Sequence, residues 1–522
     1  MIDLFISYML LLLLLHSLSQ PVRGVLIDCG SNFRSSINGQ EWLPDTGYIS
    51  TGTSKTITAR GQSQILSTVR TFPLQGNLFR KFCYEIPVNR AQKYLIRTTY
   101  YYGGVNVNGN RNLNLNPPVF DQIIDGIFWG VVNTTEAYMK GNSSYYEAIF
   151  MPKGKNLSVC LAANAYTDSD PFISALEVVV LLDQVYNSTD FNHYALNLIA
   201  RNSFGHDGPG IRYPDDRFNR YWEPFGQDTF PQLSSQNLSV SGIWNLPPQK
   251  VFQTRLARSQ PEPLRLMWPP NPLPVVVPPY NYSIALYFAD DQISRSPRTF
   301  DITINRVDFY NNLTLTPSGV VIFANEWPLA GTTDITLSPA PQSTAGPLVN
   351  AGEVFQVIPA GERTLVRDAI AMVSLRNSFR NPPIDWKGDP CLPSRYLWTG
   401  VTCSQGPRIR ITILNLMSIG LEGSISPSIA KLTALTTILL GNNTLHGTIP
   451  DLSSLKELAI LHLEDNLING ILPPSLGNLT KLREIFVQNN NLSGDIPKTL
   501  VQIPGLTLRY TPGNPSIIPP PS

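Results

Sequence analysis

Charge is scarce in this chain. Lysine, arginine, aspartate and glutamate make up 15% of its 522 residues, against about a quarter in an ordinary soluble domain, and the net charge is +1. Without a field of one sign, neither nucleic acid nor an anionic membrane is an expected partner. Histidine is scarcer. Of the five, His16 lies near the N-terminus, His446 and His462 fall in the repeats described below, and His193 and His206 have no motif around them. That leaves little for a general base or a metal centre, and no cofactor motif occurs. The glycine-rich stretch 202–210 lacks the lysine and the strand–helix setting of a phosphate loop and reads as a plain loop. Beyond the N-terminus no apolar run reaches the length of a membrane span. Proline (45) and glycine (36) are plentiful, which fits short strands and turns better than helices.

The apolar run from Met9 to Leu15, with Ser17 and Ser19 before a cut near Gln20, makes residues 1–24 a signal peptide and leader. Ten Asn-Xaa-Ser/Thr sequons follow, at Asn133, Asn142, Asn156, Asn187, Asn237, Asn281, Asn312, Asn442, Asn478 and Asn491. Together they predict a glycosylated, secreted protein with no membrane span in the mature chain. The proline-rich end, 512–522, lacks the hydrophobic tail of a lipid anchor. In an oxidising compartment Cys391 and Cys403 are expected to form a disulfide closing a short loop. Zinc would need further Cys or His nearby, and none is there. Cys29, Cys83 and Cys160 make one pair and one leftover thiol, and which two pair is open.

From Ile411 to Leu500 a short apolar pattern recurs. One copy has Leu458, Leu461, Leu463, Asn466, Ile468 and Gly470; the next has Leu482, Ile485, Val487, Asn490, Leu492 and Gly494. Asparagines at 443, 466 and 490 set a period of 23–24 residues, the leucine-rich-repeat signature. Such units stack into a solenoid that offers a binding surface and carries no chemistry of its own. Leu461 and Leu463 point into its core, and the Asn466 amide can satisfy backbone groups buried by stacking. On the outward strand positions lie Ile460, His462 and Glu464, then Glu484, Phe486 and Gln488. Phe486 is apolar where solvent is expected, which points to a partner.

Residues 25–365 read as two copies of one β-rich unit. Strand 94–103 is echoed by 282–290, Phe120-Asp121 by Phe300-Asp301, and Ala175 to Val178 by Ala351 to Val354, at offsets of 188, 180 and 176. Each half has the size of a β-sandwich. Between this region and the repeats, 364–379 reads as a helix with Leu365, Ala369, Ile370 and Val373 on its packed face and Arg367, Asp368 and Arg376 exposed.

Aromatic residues supply the candidate contacts of the β-rich region. Tyr100, Tyr101 and Tyr102 are consecutive, so at least one faces out of a half-buried strand; Trp129, Tyr221 and Trp222 add further rings, and Asp290 a carboxylate. Rings with nearby Asp and Asn can stack on and hydrogen-bond sugars. The acid pairs Asp215-Asp216 and Asp290-Asp291 could serve glycoside hydrolysis, but adjacent acids usually cap turns.

Leu26-Ile27-Asp28-Cys29-Gly30-Ser31, Lys81-Phe82-Cys83-Tyr84, 215–222, Tyr287-Phe288-Ala289-Asp290 and 300–305 resemble the plant malectin-like domain. Asp385-Trp386-Lys387-Gly388-Asp389-Pro390-Cys391 with Trp398 to Cys403 is similar to the junction that enters the repeats of plant receptor-like kinases. The resemblance implies a mainly β chain: two tandem malectin-like β-sandwich domains (25–183 and 184–362), a junction (363–406), a short leucine-rich-repeat solenoid (407–511) and a tail. In such receptors a transmembrane helix and a kinase domain follow; this chain is expected to be a secreted relative of their ectodomains, without either part. Expected partners are a peptide or protein ligand, a cell-wall carbohydrate, or receptor-kinase ectodomains. The expected setting is the apoplast or cell wall, where the chain acts as a soluble co-receptor or decoy. A carbohydrate-active enzyme is the alternative.

Overall fold

With shorter pieces between them, two sets of eight strands build the main sheets up to residue 359. They are β1 (Gly24–Asp28), β2 (Lys81–Pro87), β3 (Tyr94–Tyr100), β4 (Val119–Ile124), β5 (Ile127–Asn133), β6 (Ser144–Phe150), β7 (Asn156–Ala163) and β8 (Ala175–Val180), then β9 (Tyr194–Phe204), β10 (Leu264–Met267), β11 (Tyr280–Phe288), β12 (Thr299–Ile304), β13 (Val307–Thr314), β14 (Val320–Leu329), β15 (Asp334–Pro339) and β16 (Ala351–Pro359). The computed structural model describes residues 24–58, 61–74, 80–104, 117–226, 238, 240–271, 280–291, 298–316 and 318–519. Positions 1–23 of the expected leader and the sequon at Asn237 lie outside these residues.

The first eight strands form the row β1-β8-β3-β6 and a sheet β2-β7-β4-β5; the second eight form β9-β16-β11-β14 and β10-β15-β12-β13. Adding eight to every label of the first set gives the second. β6 and β9 pair antiparallel, Ala148 opposite Asn197 and Ile149 opposite Leu196, so the two rows fuse into one continuous sheet. Each smaller sheet covers one face of that long sheet. Ile96, Tyr100, Phe120 and Phe172 fill the first interior, and Phe204, Trp268, Ile284 and Phe300 the second. Cys83 and Cys160, directly opposed on β2 and β7, form a disulfide, which leaves Cys29 as a buried free thiol.

The helix Val366–Ser378 forms where expected and Arg367 is exposed as expected, but part of the two faces is exchanged. Asp368, Ala371, Met372 and Leu375 are buried, whereas Ile370 and Val373 are exposed. The reason is an ion pair: Asp368 accepts from Arg410 Nε at 2.8 Å and from the Ile411 amide at 3.2 Å. That anchors the polar residue inward and turns the aliphatic stripe out.

Beyond the helix the chain winds in coils joined by two parallel ladders. One links Ile411–Asn415, Thr437–Leu439, Ile460–His462, Glu484–Phe486 and Thr507–Arg509; Val401–Cys403 closes its start antiparallel, fixed by the Cys391–Cys403 disulfide. The other links Glu422–Ser424, Thr444–Thr448, Leu467–Gly470, Asn491–Asp495 and Ser516–Ile518. Asn466 Nδ2 donates to the carbonyls of Leu440, Leu463 and Glu464, and its Oδ1 accepts from the Leu445 amide. Asn490 repeats that role one coil later and Asn514 two coils later. Residues 512–519 therefore continue the ladder, where a separate tail was expected. The coils are strapped to the first eight strands: Lys81 Nζ donates to the carbonyls of Asp389 and Leu392, Arg376 and Lys387 pair with Glu85, and Arg363 pairs with Asp125.

Candidate functional site: a seam cleft and a stacked ladder face

Five neighbouring strands of the long sheet each carry one charge near the middle of an apolar run. In sheet order they are Glu177 (β8), Arg97 (β3), Glu147 (β6), Arg201 (β9) and Glu353 (β16), with alternating sign. Arg97 Nη1 lies 3.0 Å from Glu177 and its Nη2 2.6 Å from Glu147; Arg201 lies 2.6 Å from both Glu147 and Glu353. Tyr186 and Tyr287 each donate their hydroxyl to Glu353 at 2.6 Å. Burial opposes charge on every one of these groups. It is outweighed: Glu177 and Glu147 keep Arg97 above its ordinary pKa, and Arg201 and Arg220 hold the Glu353 carboxyl below its own. Every member of the row is paired.

Above the Glu177–Arg97 end of this row opens a cleft of about 590 Å³, lined by Trp42, Tyr145, Arg212, Tyr221 and Glu223, with Asn38, Gln40, Gln62 and Asn142 also on its walls. Tyr145 comes from β6, and Glu223 from the strand Glu223–Phe225 that pairs with β9, so the cleft straddles the seam. The loop 205–222 supplies Arg212 and Tyr221. Gly210 lets the Tyr221 ring lie close: a Cβ on it would stand 2.3 Å from that ring, which would have to move. Tyr145 donates to Glu223 at 2.9 Å and meets Tyr221 edge to face at 5.4 Å. Burial, then the Glu223 charge, pushes both phenol pKa values up, so both remain protonated donors. Arg212 donates to Asn219 and reaches Glu177 at 3.5 Å, with 38% of its side chain exposed. A volume of this size suits a small ligand or a peptide segment. The floor charges are already paired, so Arg212, Glu223 and the two rings are the groups open to recognition.

A second candidate face lies on the first ladder. His462 stacks on Phe486 at 4.2 Å with planes 10° apart, and the Arg509 guanidinium sits 4.5 Å from the same ring. These residues occupy one register position on three successive strands, so Phe486 is bracketed from both sides. Glu484 holds the His462 Nε2 at 3.0 Å. Phe486 is thus half-buried by its own neighbours. Gln488 is half-buried beside it, and Glu464 is buried over Gly441, where a Cβ would lie 2.7 Å from its carboxyl group. His462, Phe486 and Gln488 lie along this ladder face half-buried, whereas Glu464, expected to face outward, is buried.

The aromatic candidates of the β-rich region form no surface site; Tyr100, Tyr102 and Trp129 share one hydrophobic core instead. Tyr100, Tyr102, Trp129 and Trp222 are all buried. Tyr100 donates to Gln122, Trp129 to Asn197 and Trp222 to Asp216, and Asp290 is locked between Arg255 and Arg298. Tyr101 is half-buried and packs against the cluster around Trp42. Solvent-facing alternation fails here because the long sheet is covered on both faces. Of the cleft groups only Tyr221 is among the rings named from sequence; Tyr145, Arg212 and Glu223 are not, and the readable sign was the lone charge inside each strand beneath them. Asp216 accepts from the Phe218 amide at 2.8 Å, the turn role expected of it, and its other oxygen forms a buried pair with Arg220. Among the described residues no cluster of His, Cys, Asp and Glu could hold a metal, and no helix is long and apolar enough to cross a membrane.

Comparison with known proteins places this architecture. A probable LRR receptor-like serine/threonine-protein kinase of Arabidopsis thaliana is 30% identical over 479 residues, covering 86% of this chain and 49% of the relative. Another from the same plant is 31% identical over 439 residues, covering 80% and 48%. The chain thus spans about half the length of the curated relatives it matches. In fold it is similar to the crystal structure of the ANX2 ectodomain from Arabidopsis thaliana (TM-score 0.51, 16% identity, 64% of this chain and 97% of that one). It is similar too to a crystal structure of the plant peptide RALF23 in complex with FER and LLG2 (TM-score 0.50, 16% identity, 65% and 96%). The model of the malectin-like domain matches residues 27–357, most of the sixteen-strand region, and the chain belongs to that family.

Proposed function

We propose that this chain is an extracellular recognition protein of the plant cell surface or wall, built of two tandem malectin-like sandwiches and a short leucine-rich-repeat solenoid. Its ligand is a peptide or a receptor-kinase ectodomain, and it acts as a co-receptor or decoy in receptor-kinase signalling. The observation that carries this reading is the seam cleft, where an exposed guanidinium, a carboxylate and two protonated phenols converge on an open volume of about 590 Å³. Such a set matches the mixed charge and amide groups of a peptide. The RALF23 complex among the structural neighbours supports a peptide ligand. The nine described sequon asparagines are all exposed, which supports export and glycosylation.

The test is a titration of secreted plant peptides and receptor ectodomains against the purified chain. Arg212→Ala and Tyr221→Ala should each weaken a peptide ligand at least about tenfold, whereas Phe486→Ala should weaken an ectodomain partner that uses the ladder face. Binding that ignores all three changes would sink the reading. A carbohydrate ligand is the second reading, favoured by the neutral amides of Asn38, Gln40, Gln62 and Asn142 on the same cleft; a glycan array decides it. The hydrolase alternative is not favoured, since the structural neighbours are receptor ectodomains.

A further inference from the structure

Asn187 is set apart from the other described sequons by its surroundings. It sits exposed in the turn between β8 and β9, and its Oδ1 accepts from the Trp244 indole at 3.0 Å. An indole N–H can only donate, so the amide orientation is fixed by chemistry: Oδ1 faces Trp244, and Nδ2 is the other arm. Asn442 is the contrast, since its Nδ2 already donates to Ser418 at 3.0 Å. Beside Asn187, Trp244 lies flat on Phe323 at 4.0 Å with planes 5° apart, and Tyr186 buttresses the indole edge-on at 6.5 Å. Phe323, on β14, is 40% exposed. The Ser188 carbonyl accepts from Asn325 at 3.1 Å, which ties the sequon turn to that same strand. A sequon held by an aromatic donor, next to a stacked and partly solvent-exposed aromatic pair, occurs at no other described sequon.

We infer that Asn187 carries an N-linked glycan whose first N-acetylglucosamine lies along the Trp244–Phe323 pair. The reading rests on export, because the donor is a polyprenyl-pyrophosphate-linked oligosaccharide met in the secretory pathway. Nδ2 bonds to C1 of the sugar, the C1–O bond to pyrophosphate breaks, the polyprenyl pyrophosphate leaves, and one Nδ2 proton is lost. The apolar C–H face of the sugar then covers ring surface that otherwise faces water, while Trp244 keeps its hydrogen bond to Oδ1. The glycan becomes a stabilising contact between the β8–β9 turn and β14.

The experiment uses the full chain secreted from a eukaryotic host. Glycopeptide mapping should find Asn187 occupied. Trimming every glycan to one N-acetylglucosamine should leave Tm unchanged, and removing that last sugar should lower it by about 2–4 °C. Asn187→Gln should reproduce the loss when the other sites stay glycosylated, and Trp244→Ala should abolish the difference between trimmed and sugar-free protein. Occupied sequons elsewhere with a bare Asn187 would overturn the inference alone. So would a glycan at Asn187 whose complete removal changes neither Tm nor tryptophan fluorescence. A chain bare at every sequon would overturn the export reading with it.

Discussion

Arg201 donates to Glu147 at 2.6 Å across the seam where β6 meets β9, with both side chains fully buried. Glu147 also takes Arg97 on its other oxygen, so a single carboxylate neutralises two guanidinium groups from opposite sides of the join. Glu147→Gln keeps the shape and removes that charge. Leaving two buried cations short of a partner is the costly case for an ion pair, and the variant should lose about 3–5 kcal/mol. Denaturant unfolding of the sixteen-strand region measures it; a loss below about 1 kcal/mol would show that the row does not hold the halves together.

Asp28 behaves in the opposite sense. Burial, and beyond it the nearby Asp45 charge, raises its pKa to about 6, even though Thr68 donates to it at 2.6 Å. A carboxyl whose folded pKa exceeds its unfolded value binds its proton more tightly in the fold. Stability from this group is therefore gained as pH falls from above 6 toward 4, and its charged form is a cost at neutral pH. Asp28→Asn should raise stability at pH 7 by about 1 kcal/mol once solvent screening is allowed for, and the gain should vanish near pH 4. Thermal melts of both proteins across that window read the effect.

On the ladder face, Phe486 is bracketed by His462 and Arg509 but keeps part of its ring in solvent. Its removal should cost little folding energy, within about 1.5 kcal/mol, because the site can collapse and is not enclosed. A protein partner using this face should bind at least about tenfold more weakly. Parallel melts and titrations separate the two; a large stability loss with unchanged binding would assign Phe486 to packing.

The coils were legible because a 23-residue period leaves a mark at every turn, and Asn466 and Asn490 do in space what their spacing implied. The repeated strand order was legible for a related reason: paired segments keep their sequence order when a unit recurs. Side-chain direction was not. Strand β3 reads Tyr94-Leu95-Ile96-Arg97-Thr98-Thr99-Tyr100, and only Thr99 escapes burial, so alternation carried no information about which ring faces solvent. Arg97 at its centre was the informative residue. A lone charge in a fully apolar strand can persist only with partners, and those partners lie on strands far away in sequence, which no local pattern names. The helix Val366–Ser378 was misread for the same cause, since Arg410, which turns Asp368 inward, lies 42 residues downstream.

Asn514 tests how far the ladder runs. Its Oδ1 accepts from the Leu492 amide at 2.9 Å, its Nδ2 donates to the carbonyls of Val487 and Tyr510, and it is only 4% exposed. Pro512 and Pro515 on either side make the segment look like a loose tail, yet Asn489 donates its amide to the Pro512 carbonyl and Ile496 to that of Ile518. Asn514→Ala orphans buried backbone groups on the preceding coil at about 1–3 kcal/mol each, so that coil should fray before the rest unfolds. Hydrogen exchange at Leu492 and Ile496 should speed up at least about tenfold in the variant, while Leu445, served by Asn466, stays protected. Equal protection at Leu492 in both proteins would mean that the segment after Arg509 adds nothing to the stability of the coils.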